Sequence, residues 1–159
     1  MQQKETPNSD SLADVFDVPA SGRIIAIDPG TKRCGVAVCD ENRITTRPLD
    51  YIERTSWKKM LSKIREIVSE YDAKAVVMGL PLESDGSESE MSAEARRLAR
   101  NLSLSFDIPV FLQDERATSY EAKSLLWATG MSLAGARKLT DSTAAAIILA
   151  DFLDRNKTM

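Results

Sequence analysis

IIAIDPGTKRCGVAVCD, Ile24 to Asp40, holds two runs of β-branched and small apolar residues on either side of a glycine-containing turn. These runs, Arg23 to Asp28 and Gly35 to Asp40, predict two extended strands joined by Pro-Gly-Thr-Lys-Arg-Cys. Glu41 and Asn42 turn the chain again into a third extended stretch, Arg43 to Glu53. Three strands with connections this short form an antiparallel meander. Asp28 closes the first of them. A lone carboxylate there has three uses: to brace the turn, to help cradle the phosphates of a nucleotide, or to hold a metal ion.

Beyond Arg54 the period changes. Trp57, Met60, Leu61, Ile64, Ile67, Val68 and Tyr71 recur three or four apart, which predicts an amphipathic helix with Thr55 or Ser56 as N-cap. KAVVMG, Lys74 to Gly79, predicts a short buried strand that LPLESDGS stops. Ser87 and Glu90 have the spacing of a capping box for a helix running to about Leu104. PVFLQ, Pro109 to Gln113, predicts another strand. Thr118 and Glu121 form a second capping box, for a helix that stops near Gly130. The last helix, about Asp141 to Asp154, has an Ala- and Ile-rich face suited to close packing on a sheet. Strands that alternate with helices imply right-handed parallel crossovers. The expected architecture is therefore α/β: a mixed five-stranded sheet, a three-strand antiparallel meander plus two parallel strands, covered by helices.

With 159 residues, 43% of them hydrophobic, the chain suits one domain that can bury a real core. Residues 1–21 carry one basic and four acidic side chains and no sustained period, which predicts a flexible acidic extension before a domain over residues 22–159. The rest of the chain balances at twenty basic and twenty acidic residues, so no argument from high pI points to nucleic acid; clustering on one face would have to do so. The apolar runs are too short to span a bilayer and no charged-then-apolar leader opens the chain, so the reading is cytoplasmic, with no membrane partner. Cys34 and Cys39 have no histidine or second cysteine pair to complete a zinc site, and are read as buried thiols.

Acidic residues stand where elements end: Asp28 after the first strand, Asp114 and Glu115 after PVFLQ, Asp141 at the start of the last helix. Brought to one end of the sheet, one carboxylate from each place would repel the others unless a cation joined them, and hard divalent ions take oxygen donors. Two such ions, roughly 4 Å apart, activate water and stabilise the leaving oxygen of a phosphodiester. That chemistry needs no histidine, and the chain has none. Taken one at a time, the same residues read as a turn former, a helix cap and a surface pair.

Four segments, IDPGTKRCGVAVCD, MGLPLESDGSES, QDERATSYEA and RKLTDSTAAAIILADFLD, resemble in order and spacing the signature segments of the YqgF (RuvX) family of the ribonuclease H-like superfamily, over about Arg23 to Leu153. The resemblance implies a ribonuclease H-like fold and a metal-dependent nuclease, using Mg2+ or Mn2+, that matures the 5′ end of pre-16S ribosomal RNA in the bacterial cytoplasm. An older description of the family is Holliday-junction resolvase. By matching motif, the family's acidic triad falls on Asp28, Glu115 and Asp141. Neighbours in a strand face opposite ways, so one of Asp114 and Glu115 serves the site; Glu115 is preferred and Asp114 is the alternate.

Basic and small polar residues adjoin each carboxylate: Thr31, Lys32 and Arg33 after Asp28; Arg116, Thr118 and Ser119 after Glu115; Arg137 and Lys138 before Asp141. An anionic polymer would need such neighbours, and solvated loop charges would look the same. Gly86 in GLPLESDGSE marks either a backbone approach to a nucleic-acid strand or a structural turn. Arg96, Arg97 and Arg100 extend a basic track or form a solvated helix face. Precursor rRNA is the preferred partner and branched DNA the runner-up, with the ribosome a further candidate; a resolvase would act as a homodimer, a processing nuclease needs only a monomer. Two other classes stay open. An actin-like phosphate loop uses a similar Asp-x-Gly-Thr turn but needs a second domain, and ATP calorimetry tests it. A catalytically silent RNA- or ribosome-binding module would bind without turnover.

Overall fold

The computed structural model describes residues 18–115 and 140–156. Five strands, β1 (Ile24–Pro29), β2 (Arg33–Cys39), β3 (Thr46–Glu53), β4 (Ala75–Leu80) and β5 (Val110–Asp114), form one sheet in the order β3-β2-β1-β4-β5. β1, β2 and β3 pair antiparallel; β4 and β5 run parallel to β1. The expected mixed sheet is thus present, and β1, with Ile24 to Ile27 all buried, lies at its centre. Helix α1 (Trp57–Tyr71) connects β3 to β4, α2 (Glu90–Ser105) connects β4 to β5, and α3 (Thr140–Arg155) follows. The anticipated helix between Thr118 and Gly130 lies outside the described residues.

The two faces of the sheet are filled separately. Ile25, Ile27, Val36, Val38, Val76, Met78 and Val110 point to one side, where Met60 and Ile64 of α1 and Leu98 and Leu102 of α2 cover them. The alternate residues Ile24, Ala26, Ala37, Ala75, Val77 and Phe111 point to the other, against Ala145, Ala146, Leu149 and Phe152 of α3. Such period-2 alternation between two cores is what a sheet covered on both faces requires. Cys34 belongs to the first core and Cys39 to the second; both are buried free thiols, as expected, and burial pushes each thiol's pKa up.

Local chemistry moves two boundaries. β3 begins at Thr46 rather than Arg43, because the Asp40 carboxylate accepts hydrogen bonds from the backbone N–H of Asn42 (3.1 Å), Ile44 (2.7 Å) and Thr45 (2.6 Å). That Asx-type turn holds Arg43 at a positive φ, outside any strand. α2 is capped by Ser89 with Ser92, not by Ser87 with Glu90. The Ser87 amide and hydroxyl bond instead to Asp85 (2.9 and 2.7 Å), within a turn closed by Gly86 N–H to Glu83 O (2.8 Å). Gly86 has φ 90°, so its glycine serves the turn. Of the two caps offered for α1, Ser56 is used.

Candidate functional site

Asp28 lies inside β1, paired with Gly35 of β2, and the hairpin reverses only beyond it. Gly30 makes that reversal: a Cβ there would meet the Arg33 carbonyl oxygen at 2.5 Å. The turn-forming work in Asp-Pro-Gly-Thr therefore falls to the glycine, and the carboxylate is left on the sheet. Because Ile25 and Ile27 face α1 and α2, Asp28 faces α3. The same alternation sends Gln113 and Glu115 to the α3 side and Asp114 to the other. Glu115 rather than Asp114 thus shares a face with Asp28.

Two glycines clear the ground between these carboxylates. Gly35 flanks Asp28 on β2, and Gly79 follows Met78, the partner of Ile27 in the parallel ladder, on β4. Both positions alternate with residues of the α1/α2 core, so both face α3. A Cβ on Gly79 would meet Glu115 Oε2 at 2.7 Å and Ile148 Cδ1 at 2.8 Å. Glu115 therefore reaches back over β4, toward β1, through space that any larger residue would fill. Its Oε2 is buried.

Helix α3 is fixed to this face at two points. Near its start, the Ser142 hydroxyl accepts a hydrogen bond from Val36 N–H at 3.0 Å. The β2–β3 ladder shifts register between Cys34 and Val36, which frees that amide from strand pairing. Further along, Asp151 is 1% exposed, a costly place for a carboxylate. Gln113 Nε2 and Arg155 Nε both donate to its Oδ2 at 2.8 Å, which compensates the burial and ties α3 to β5. Asp141, the residue before Ser142, is the second residue of α3. The start of the helix therefore comes to rest on β2, beside β1; the Asp141 side chain lies outside the described residues.

Thr31, Lys32 and Arg33 are exposed on the loop and strand edge that follow Asp28. Arg54 braces this loop: its backbone N–H donates to Lys32 O (2.9 Å), its Nη1 donates to Gly30 O (3.0 Å), and its Nη2 pairs with Glu94 of α2. Hydrogen bonds from Arg54 and then Arg97 hold the Glu94 carboxyl below its ordinary pKa. Arg97 pairs with Glu94 at 2.6 Å and Arg96 with Glu88 at 2.8 Å. These two arginines of α2 form a charge-matched helix face rather than a basic track. Arg116, Thr118, Ser119, Arg137 and Lys138 lie outside the described residues.

Sequence reading named Asp28 and Glu115 as candidate ligands, and the fold brings these two to one face and one end of the sheet. It missed Gly79, Ser142, Arg54 and Glu94. Among the described residues no group of three or more His, Cys, Asp or Glu is poised to hold a metal ion. Asp28 and Glu115 are nonetheless oxygen donors of the kind hard cations take, and the missing Cβ of Gly79 leaves room for Glu115 Oε2 beside Ile148. The donor set fits such an ion. No described helix is long and apolar enough to cross a membrane.

A family model described as "RuvX: Holliday junction resolvase" matches residues 22–155. A protein of Thiobacillus denitrificans is 39% identical over 142 residues, covering 89% of this chain and 98% of its own length. One of Syntrophus aciditrophicus is 38% identical over 132 residues, covering 83% and 88%. Both carry the name "Putative pre-16S rRNA nuclease". Among solved structures, Thermus thermophilus RuvC aligns with TM-score 0.57 at 13% identity over 84% of this chain and 96% of its own. The same organism's RuvC in complex with a Holliday junction substrate aligns with TM-score 0.55 at 17% identity, over 86% and 97%. These two alignments show a RuvC-like, ribonuclease H-like fold.

Proposed function

The chain belongs to the RuvX family, and from that premise we propose that it is a divalent-metal-dependent nuclease that hydrolyses phosphodiester bonds at the 5′ end of precursor 16S rRNA. The reading rests above all on Asp28 and Glu115 sharing one face and one end of the sheet, next to the strand that receives the first turn of α3. Asp28, Glu115 and Asp141 would hold Mg2+ or Mn2+ through carboxylate oxygens. When bound, the cation supplies Lewis acidity and positive charge to a phosphodiester under attack by water.

The chain's own part is placement. β1 is the buried central strand and β5 is anchored by buried Val110, Phe111 and Gln113, so carboxylates at their ends are held in place, and rigid donors need no reorganisation as charge develops. Thr31, Lys32 and Arg33 contact substrate phosphates on one side of Asp28. Arg116, Thr118, Ser119, Arg137 and Lys138 supply the remaining contacts. Phosphate-dominated binding falls with salt and fixes register more than sequence. Residues 22–159 act as the nuclease domain behind an acidic extension, working in the cytoplasm on assembling ribosomal subunits.

Asp28→Asn keeps the shape and removes the charge. Cleavage of a pre-16S 5′ fragment with Mg2+ or Mn2+ should fall about a thousandfold with an unchanged Tm. Undiminished cleavage in that variant removes the mechanism. The family description favours one second reading, resolution of four-way DNA junctions by a homodimer. Faster cleavage of a junction than of the RNA, at one salt concentration, would reassign the substrate.

A further inference from the structure

Among the described residues three large hydrophobic side chains are exposed: Ile44, Tyr51 and Leu104. Ile44 lies in the turn at the far end of the meander, and Leu104 lies near the end of α2 on the other side of the sheet. Tyr51, 38% exposed, lies on β3, two strands from the strand that carries Asp28. The Arg33 guanidinium stacks over its ring, 4.9 Å from the centroid. Arg33 opens β2 opposite Glu53 of β3, and since Cys34 points into the α1/α2 core, Arg33 points to the α3 face. The register shift in the β2–β3 ladder leaves Tyr51 between the core-facing Leu49 and Ile52, and the Arg33 stack over its ring sets it on Arg33's side. From β1 to β3 is two strand spacings, about 10 Å. In the strand order the pair therefore flanks Asp28 on the side away from Glu115.

The first core does not include either side chain. What they present is a flat guanidinium on a flat phenol, rising from a loop that Arg54 holds at Gly30 and Lys32. Unstacked bases of single-stranded RNA settle on such surfaces, on aromatic rings and on arginine planes alike, while the arginine's charge draws the phosphate. A base inside a duplex already stacks on its neighbours and offers no free face. Resting on the nuclease reading, we propose that Arg33 and Tyr51 form a stacking subsite for one unpaired nucleobase of a single-stranded RNA whose backbone passes Asp28. The subsite makes the protein prefer single-stranded segments.

The test needs no catalysis. Full-length protein in EDTA is titrated into a fluorescein-labelled single-stranded RNA and into a blunt duplex of equal length, with anisotropy as readout. Tyr51→Leu should weaken single-strand binding about tenfold and leave duplex binding within about twofold. Tyr51→Phe, which keeps the ring, should retain the wild-type affinity. A 2-aminopurine in the single strand should be quenched by wild type and Tyr51→Phe but not by Tyr51→Leu, a signature that a merely structural tyrosine would not give. Equal single-strand affinity in wild type and Tyr51→Leu overturns this proposal and leaves the nuclease reading standing. Wild-type protein that binds neither RNA overturns both. Circular-dichroism melts of the variants establish that each is folded.

Discussion

The two faces of this sheet are packed by different rules. Toward α1 and α2 the strands present large branched residues, Ile25, Ile27, Val36, Val76 and Met78, against Ile64 and Leu102. Toward α3 they present mostly small ones, Ala26, Ala37 and Ala75, against Ala145 and Ala146. Glycines at 35 and 79 continue the small pattern to the end of the sheet, where polar groups take over: Ser142 of α3 bonded to β2, Asp151 of α3 bonded to Gln113 of β5, and the carboxylates Asp28 and Glu115. One pleat, alternating residue by residue, thus divides the bulky core from the face that carries the proposed site. The first face buries area, at about 25 cal/mol per Å². The second gives up bulk so that a helix can approach and carboxylates can lie over the strands.

That division is exposed to a pair of substitutions. Leu102→Ala empties a fully buried site on the α1/α2 face, and chemical denaturation should show a loss of about 3 kcal/mol. Cleavage per folded molecule should stay within about twofold. A matching fall in kcat would mean that the first face controls the site as well. Gly79→Ala on the α3 face should do the reverse. Its methyl group would press on Glu115 Oε2 and Ile148 Cδ1 at distances no relaxed contact allows, so the carboxylate or α3 must shift. A fall in kcat of about tenfold to a hundredfold is expected, with a stability cost of about 1 to 2 kcal/mol. Wild-type kcat in Gly79→Ala would show that Glu115 does its work from another position.

The same contrast explains what could be read in the residues alone. The apolar periods of β1, β2, β4 and α1 come from neighbours in the chain facing one core, so Ile24 to Cys39 and Trp57 to Tyr71 were legible. Glu115 could be preferred over Asp114 because the pleat is local. Arg43 was misread as strand and Ser87 as a cap because Asp40 and Asp85, short side chains a few residues away, capture the backbone first. Gly79 beside Glu115, and Ser142 bonded to Val36 across 106 residues, depend on contacts that exist only once strands and helix are assembled. The capping box at Thr118 and Glu121 and the polar residues from Arg116 to Lys138 lie beyond the described part.

One tie crosses from the first face to the second. Glu94 stands on α2, yet through Arg54 it holds the loop that leaves Asp28. The Arg54 hydrogen bond, then that from Arg97, depresses the Glu94 carboxyl below its ordinary pKa of 4.5. A depressed carboxylate stabilises the fold above the unfolded pKa, and that contribution is lost as pH falls through the lower, folded value. The wild type should therefore melt a few degrees above Glu94→Gln at pH 7, an effect of about 1 kcal/mol or less for so accessible a pair. The two melting curves should converge only below about pH 4.5. KM for RNA should rise modestly in the variant, with kcat unchanged, because in the proposed function the loop supplies phosphate contacts and not the carboxylates. A Tm difference that persisted at acid pH would trace the tie to side-chain packing. A fall in kcat instead of a rise in KM would show that α2 reaches the chemistry itself, and the two faces would then be coupled.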